Sequence, residues 1–388
     1  MTEAESTKLS TTPMAGLASA PASGTDTNAD ETMRFAIARF RSRMAAANQK
    51  FLQDRINEIE ARGLASEEEK RHYLRQYKYM DDLVWDEEGP ERRSSSTIRI
   101  PQQTSLSDLD IPAILNALPS YAGPADGVIP PLLRTEQWRQ MYLDTVQRVC
   151  QQQADAIIEN EEESDDGCWC HKDHEPMTIP RCDELALFLK YAQGVVDIDF
   201  RHLGIAPFEP ASSFGVRDKE LDGLDEGQRR DKLADLDLLK REQESLQQEL
   251  ESEESNRAMG PFIHDDLEVK AGFLTGTGYD QLSECESWRS AYVYCRLWTN
   301  DKDDGKHKDG DVQDAANIRD WGWRVVVFQD EAFDSSVLYG RKARFDSIPE
   351  FLDWYASWLD RLDARGLLSL RRHALGCETD CESECEDH

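Results

Sequence analysis

The sequence has 388 residues, with 45 lysines and arginines against 77 aspartates and glutamates, for a formal charge of −32. Such a charge repels phosphate backbones and anionic membrane surfaces, so the expectation is no nucleic acid, no membrane and, if anything, a basic protein partner. No apolar run approaches a membrane span, and nine cysteines spread over this length do not read as a disulfide scaffold, which points to a reducing setting in the cytoplasm, extending to the nucleus.

Residues 1–30 are rich in Thr, Ala, Ser and Pro, lack the apolar h-region of a signal peptide, and are expected to be a disordered arm. Residues 31–86 carry two helical patterns. Phe35, Ile37, Phe40, Met44, Phe51, Leu52, Ile56 and Ile59 recur at helical spacing up to Gly63. Ser66 and Glu69 then fit a capping box that opens a second helix running to about Val84, with Tyr73, Leu74, Tyr77 and Met80 on its buried side. The short turn between them predicts a helical hairpin. Arg34, Arg39, Arg41 and Arg43 form a local basic cluster, read as a solvated face rather than a site for an acidic partner. Residues 87–134, punctuated by Pro, Gly and Ser, read as a linker.

Residues 135–365 are expected to form the main domain. Thr135 to Glu159 is a helix with Trp138, Tyr142, Val146, Val149, Ala154 and Ile157 along one side. Cys168, Cys170, His171 and His174 follow an acidic run, with Cys182 nearby. Thiolate and imidazole are natural zinc ligands, and four of them would close a tetrahedral site. The C-x-C-H-x-x-H spacing is not a usual finger spacing, however, and adjacent Cys170 and His171 are hard to aim at one ion. The expectation is an exposed loop and no cofactor, with zinc as the alternative. Residues 180–195 are helical, and Val195 to Phe200 alternates as a strand would. Residues 217–257 are a charged insert. Leu236, Leu239, Leu246 and Leu250 lie near heptad spacing with Gln243 in the seam, which predicts a solvated helix, with a short coiled coil as the alternative.

Val269 to Tyr279 and Trp288 to Trp298 read as sheet. In the second, Ala291, Val293, Cys295 and Leu297 alternate with Tyr292, Tyr294, Arg296 and Trp298, so the two rows face opposite layers. Thr299 to Asp320 is acidic but fails as a calcium loop. Setting the fixed glycine at Gly305 or Gly310 puts Lys302 or His307 at a ligand position, and a solvated hairpin loop is expected instead. Trp321 and Trp323 lead into a β-branched strand, Arg324 to Phe328, and a second strand is expected over Val337 to Tyr339. Ser347 and Glu350 form another capping box, and Pro349 sits where its missing N–H costs nothing. Ile348, Phe351, Leu352, Tyr355, Leu359 and Leu362 then share one helical face, widened by Trp354 and Trp358. The predicted structural core is therefore Trp321, Trp323, Phe351, Leu352, Trp354, Tyr355, Trp358 and Leu359. Residues 366–388 form an acidic tail in which Cys377, Cys381 and Cys385 recur at four-residue intervals, read as an unstructured end.

A strand, an acidic-aromatic turn and the run IPEFLDWYASWLDRL together resemble the C-terminal end of the SUKH superfamily, which includes fungal regulators of cell-wall synthesis and bacterial toxin-immunity proteins. The run PRCDELALFLKYAQGV at 180–195 is similar to that family's early helix. The resemblance covers roughly half the chain, discontinuously. It implies an α+β fold with a mixed or antiparallel sheet flanked by helices, and a role in binding protein partners rather than catalysis. It carries over no functional residues, because partner surfaces vary across the family.

Catalytic motifs are absent from the sequence. Gly276 and Gly278 lack the third glycine of a dinucleotide fingerprint, and there is no P-loop, G-x-S-x-G elbow or H-E-x-x-H. The expected function is a non-enzymatic protein-interaction or regulatory protein. The alternatives are a zinc- or thiol-dependent protein using the Cys168–Cys182 cluster, and an enzyme whose site is assembled from distant residues.

Overall fold

The computed structural model describes residues 25–75, 83–86, 98–101, 104–118, 124–131, 135–163, 177–197, 207–211, 223–252, 267–277, 288–297, 314–329, 337–338 and 341–357. The helical pattern near the N-terminus forms α1 (Thr25–Ala61), which starts before residue 31, where Asp30 accepts hydrogen bonds from Lys190 at 2.8 Å and the Tyr191 hydroxyl at 2.7 Å. After Gly63, which turns at a φ of 65°, comes α2 (Glu67–Arg75). Its first turn is capped as predicted, with Ser66 Oγ accepting the Glu69 N–H at 3.2 Å.

Two expectations fail in the next stretch. Val84 does not lie in the second helix but in β1 (Leu83–Asp86), which pairs in parallel with β2 (Ile98–Pro101). The β-branched and aromatic residues at 83–85 favour strand over helix once a partner strand is available. The segment read as a linker also contributes to a core. It contains α3 (Ile111–Asn116), whose Asp110 cap accepts the Ala113 N–H at 3.0 Å. Ile100, Leu106, Ile111, Ile114 and Leu115 pack against Phe51, Leu52, Ile56, Ile59 and Leu74. These apolar pieces are too short to make a core alone, but the second half of α1 supplies the missing wall.

β3 (Val128–Ile129) pairs with β4 (Gly194–Val195); of the predicted 195–200 strand only Val195 is in it, since Val196 and Asp197 are not in a strand and 198–200 lie outside the described residues. Between β3 and β4 lie α4 (Glu136–Glu163) and α5 (Asp183–Tyr191). Gln151 on α4 bridges both polar groups of an extended segment. Its Oε1 accepts the Ile179 N–H at 2.9 Å and its Nε2 donates to the Met177 carbonyl at 3.0 Å.

The charged insert supplies α6 (Glu226–Leu233) and α7 (Leu236–Leu250). It is not a solvated helix. Leu239, Leu246 and Leu250 are buried against α4, while Leu236 is 69% exposed. Along α4, Trp138 Nε1 donates to the Leu233 carbonyl at 2.8 Å, Gln243 Nε2 to Thr145 Oγ1 at 3.2 Å, and Arg148 to Gln247 at 2.9 Å. The two helices therefore run side by side in the same direction. The seam was legible in the sequence, and a distant helix, α4, covers it.

The remaining strands are β5 (Leu267–Thr277), β6 (Trp288–Leu297), β7 (Gly322–Gln329), β8 (Val337–Leu338), β9 (Arg341–Lys342) and β10 (Arg344–Phe345), followed by α8 (Ile348–Ala356). The main sheet is antiparallel in the order β10-β7-β6-β5. Period-two alternation gives it two apolar faces. Ala271, Phe273, Tyr292, Val325, Val327 and Phe345 lie in the core shared with α4, α5 and α8. Leu267, Val269, Ala291, Val293, Cys295, Val326 and Phe328 face the other way. This gives the expected α+β class, with the sheet antiparallel and flanked by helices.

The second face also corrects the reading of 299–320 as a wholly solvated loop. Ala315 and Ile318 are buried against it, and residues 299–313 lie outside the described residues. Buried Arg324 anchors this turn. Its Nε donates to Asp346 Oδ1 at 2.9 Å, and its two terminal nitrogens donate to the Cys295 and Asn317 carbonyls, each at 2.6 Å.

At α8 the cap works as predicted in one direction. Ser347 Oγ accepts the Glu350 N–H at 3.2 Å, whereas Glu350 reaches back to the Asp346 N–H at 2.9 Å, one residue before the cap. Phe351, Leu352, Trp354 and Tyr355 are buried in the helix-side core. Trp358, Leu359 and Leu362 lie outside the described residues. The first half of α1 covers α8 and α5. Met33, Ile37, Phe40 and Met44 are buried there, and the Phe40 ring lies 5.7 Å from that of Tyr355. The arginines read as a solvated cluster find carboxylates of this same chain: Arg39 binds Asp353 through two bonds of 2.9 and 2.6 Å, and Arg41 reaches Asp126 at 2.9 Å. Gly127, at a φ of 70°, allows the close approach, since a Cβ there would stand 3.0 Å from the Phe40 ring.

Candidate functional site

The most distinctive surface feature is an aromatic ladder where β6 meets β7. The antiparallel register sets Tyr294 opposite Trp323. Alternation then brings Tyr292, Tyr294 and Arg296 onto the same face as Trp321 and Trp323. The Arg296 guanidinium lies 4.7 Å over the Trp321 ring. Trp321 stacks on Tyr294 at 5.5 Å, Tyr294 meets Trp323 at 5.6 Å, and Trp323 stacks on Tyr292 at 5.1 Å with the planes 9° apart. These separations are those of favourable offset aromatic and cation–π contacts.

The ladder runs from solvent into the core. Arg296 has a side chain 39% exposed, Trp321, Tyr294 and Trp323 are half-buried, and Tyr292 is 1% exposed. Both ends are braced. Arg296 Nε donates to Glu268 Oε2 at 2.7 Å on β5, and Trp323 Nε1 donates to the Pro180 carbonyl at 2.9 Å, just before α5. Asp183 at the start of α5 has a side chain 86% exposed, and Asp320, next to Trp321 in sequence, is also exposed. Arg181, which approaches Asp183 at 3.9 Å, and exposed Arg319 give this rim both signs of charge, and an aromatic surface so bordered can stack on and pair with polar and cationic side chains.

Behind the ladder, Glu184 on α5 accepts the Ile348 N–H at 2.9 Å and so ties the first turn of α5 to that of α8. Burial pushes its carboxyl up to about 7, although the Ile348 N–H opposes the shift. The Tyr292 hydroxyl is buried with no hydrogen-bond partner among the described residues. Burial pushes its phenol upward, and the neighbouring Glu184 charge adds to this. A carboxyl titrating near neutrality has the pKa of a general acid or base. The nearby thiols do not complete a nucleophilic site, because burial holds Cys182 protonated and pushes Cys150 up to about 12.

Of the zinc candidates, Cys168, Cys170, His171 and His174 lie outside the described residues. Cys182 precedes α5 and is 2% exposed in the helix-side core. Among the described residues, no three His, Cys, Asp or Glu side chains are grouped as metal ligands, and no helix is long and apolar enough to cross a membrane. Trp321 and Trp323, expected in the core, are half-buried, and Trp323 packs against the helix-side core. Sequence reasoning missed Glu184, Arg296 and Glu268 as parts of one region. The available signal was the W-x-W spacing beside Y-x-Y-x-R, which puts five large side chains on one face once the strands pair.

No family model matches the chain, and neither a curated protein nor a solved structure shows significant similarity to it.

Proposed function

We propose that this chain is a non-enzymatic protein-interaction or regulatory module, built on a SUKH-like α+β domain, that receives a basic protein partner on the aromatic ladder. The ladder is the observation that carries the reading. Trp, Tyr and Arg are the residue types that dominate binding energy at protein interfaces, and here five of them are pre-stacked, so the outer ones lose little freedom when covered. The overall charge of −32 steers a cationic partner towards the chain. This function needs no cofactor.

The test is quantitative affinity capture from native lysate with the full chain and its Trp321→Ala variant as baits. The side chain is half-buried at the surface end of the ladder, so the variant should keep its fold, which a melting curve checks. Basic proteins held by the wild type at low salt should fall about tenfold or more on the variant, as expected for loss of a hot-spot tryptophan. Identical retained sets on both baits would remove the ladder as the binding surface.

A further inference from the structure

Carboxylates make up 77 of the 388 residues, about one in five, yet Thr32 to Gln53 on α1 contains none while carrying Arg34, Arg39, Arg41, Arg43 and Lys50. The buried side of this stretch is accounted for by Met33, Ile37, Phe40 and Met44. Its other side is open. Arg34, Ala38, Ser42 and Ala46 are exposed, Phe35 is 56% exposed, and the arginines that pair with Asp353 and Asp126 still show about half of each side chain, at 53% for Arg39, 50% for Arg41 and 51% for Arg43. A basic strip with an exposed phenylalanine, in a chain of charge −32, has the chemistry of a docking face for an acidic segment.

We propose that this face is occupied by the chain's own acidic segment Cys377–His388. That segment carries Glu378, Asp380, Glu382, Glu384, Glu386 and Asp387 with no lysine or arginine, and lies outside the described residues. Two observations select it over an acidic partner from outside. α8 packs directly on α1 through Tyr355 and Asp353, so the chain passes Ser357 beside the strip. From Ser357 to Cys377 is 20 residues. A chain of 20 residues can extend at most about 66 Å, while Arg34 to Arg43 covers about 14 Å of helix, so the strip lies within the segment's reach. A tether also gives it an effective concentration of about millimolar, whereas a free acidic protein must approach against the chain's own negative field.

The probe is a fluorescein-labelled peptide of Cys377–His388 with serine at its three cysteines, followed by anisotropy against full-length proteins. These are the wild type, a variant with Glu378→Gln, Asp380→Asn, Glu382→Gln, Glu384→Gln, Glu386→Gln and Asp387→Asn, and that same variant with Arg34→Glu and Phe35→Ser added. The amide variant should bind the peptide about tenfold or more tightly than the wild type, because the tethered competitor has been disarmed. Raising salt from about 50 to about 300 mM should weaken that binding. The added Arg34 and Phe35 changes, both at exposed positions, should abolish most of it. Equal affinity for wild type and amide variant would show an open strip that awaits an external acidic partner, and would overturn the proposal. Binding indifferent to the Arg34 and Phe35 changes, or no binding at all, would overturn it as well.

Discussion

Truncating Phe40 tests what holds α1 to the rest of the fold. Two kinds of contact meet at this junction. Arg39 and Asp353 form a bidentate pair, but their side chains are 53% and 42% exposed. Pairs so open to water are worth about 0–1 kcal/mol and weaken with salt. Phe40 is fully buried, its ring lies 5.7 Å from that of Tyr355, and Gly127 presses against it from the other side. Removing a buried phenylalanine side chain costs about 3–5 kcal/mol, because transfer energy and cavity are lost together. Phe40→Ala should therefore destabilise the protein several-fold more than Arg39→Ala. Urea unfolding followed by tryptophan fluorescence measures both, and hydrogen exchange at the α1 amides shows whether the helix detaches first. High salt should erase the Arg39→Ala difference and leave that of Phe40→Ala. The reasoning fails if Phe40→Ala costs under about 1 kcal/mol, or if Arg39→Ala costs more than Phe40→Ala.

Two further outcomes follow from buried polar groups. Arg324→Met should cost about 3–5 kcal/mol, since it leaves Asp346 and the carbonyls of Cys295 and Asn317 without their donor; a double-mutant cycle with Asp346→Asn in thermal melts should show coupling, and additive effects would contradict the assignment. Glu184 binds its proton more tightly in the fold than in the unfolded chain, with its carboxyl raised from 4.5 to about 7. Its contribution is fully present below about 4.5 and is lost as pH rises to about 7 and above, a change on the order of 3 kcal/mol. Glu184→Gln keeps an acceptor for the Ile348 N–H but no longer titrates, so it should flatten this part of the stability–pH curve and be more stable than wild type at about pH 8. Parallel curves for the two proteins would show that Glu184 is not the group responsible.

Local chemistry made much of the architecture legible. Helical spacing located α1 and α4, alternation located β6, a β-branched run located β7, and Ser66 and Ser347 marked two helix starts correctly. Each of these signals is written within a few residues. The errors share one cause, which is that they concern partners far away in sequence. Val84 looked helical because the strand that captures it begins at Ile98. The short apolar pieces of 98–118 looked like linker because the wall they complete is the second half of α1. The charged insert looked solvated because the helix that covers its leucines, α4, lies far earlier in the chain.

The candidate site divides in the same way. Trp321, Trp323, Tyr292 and Tyr294 were visible as strand residues with aromatic side chains, and their spacing alone places each pair on one face of its strand. Only the register of β6 against β7 interleaves them into a ladder, and only the fold brings the Pro180 carbonyl, just before α5, to the Trp323 indole. The Arg34–Arg43 cluster and its carboxylates show the same limit, because Asp353 lies more than three hundred residues away along the chain. Sequence by itself determined the element types, the caps and the charge of this protein, since these depend on backbone preference and on neighbours within one or two helical turns. Tertiary structure alone decided which faces are covered, which charges are paired and which aromatics remain exposed, because burial is set by elements that meet only after the chain has folded.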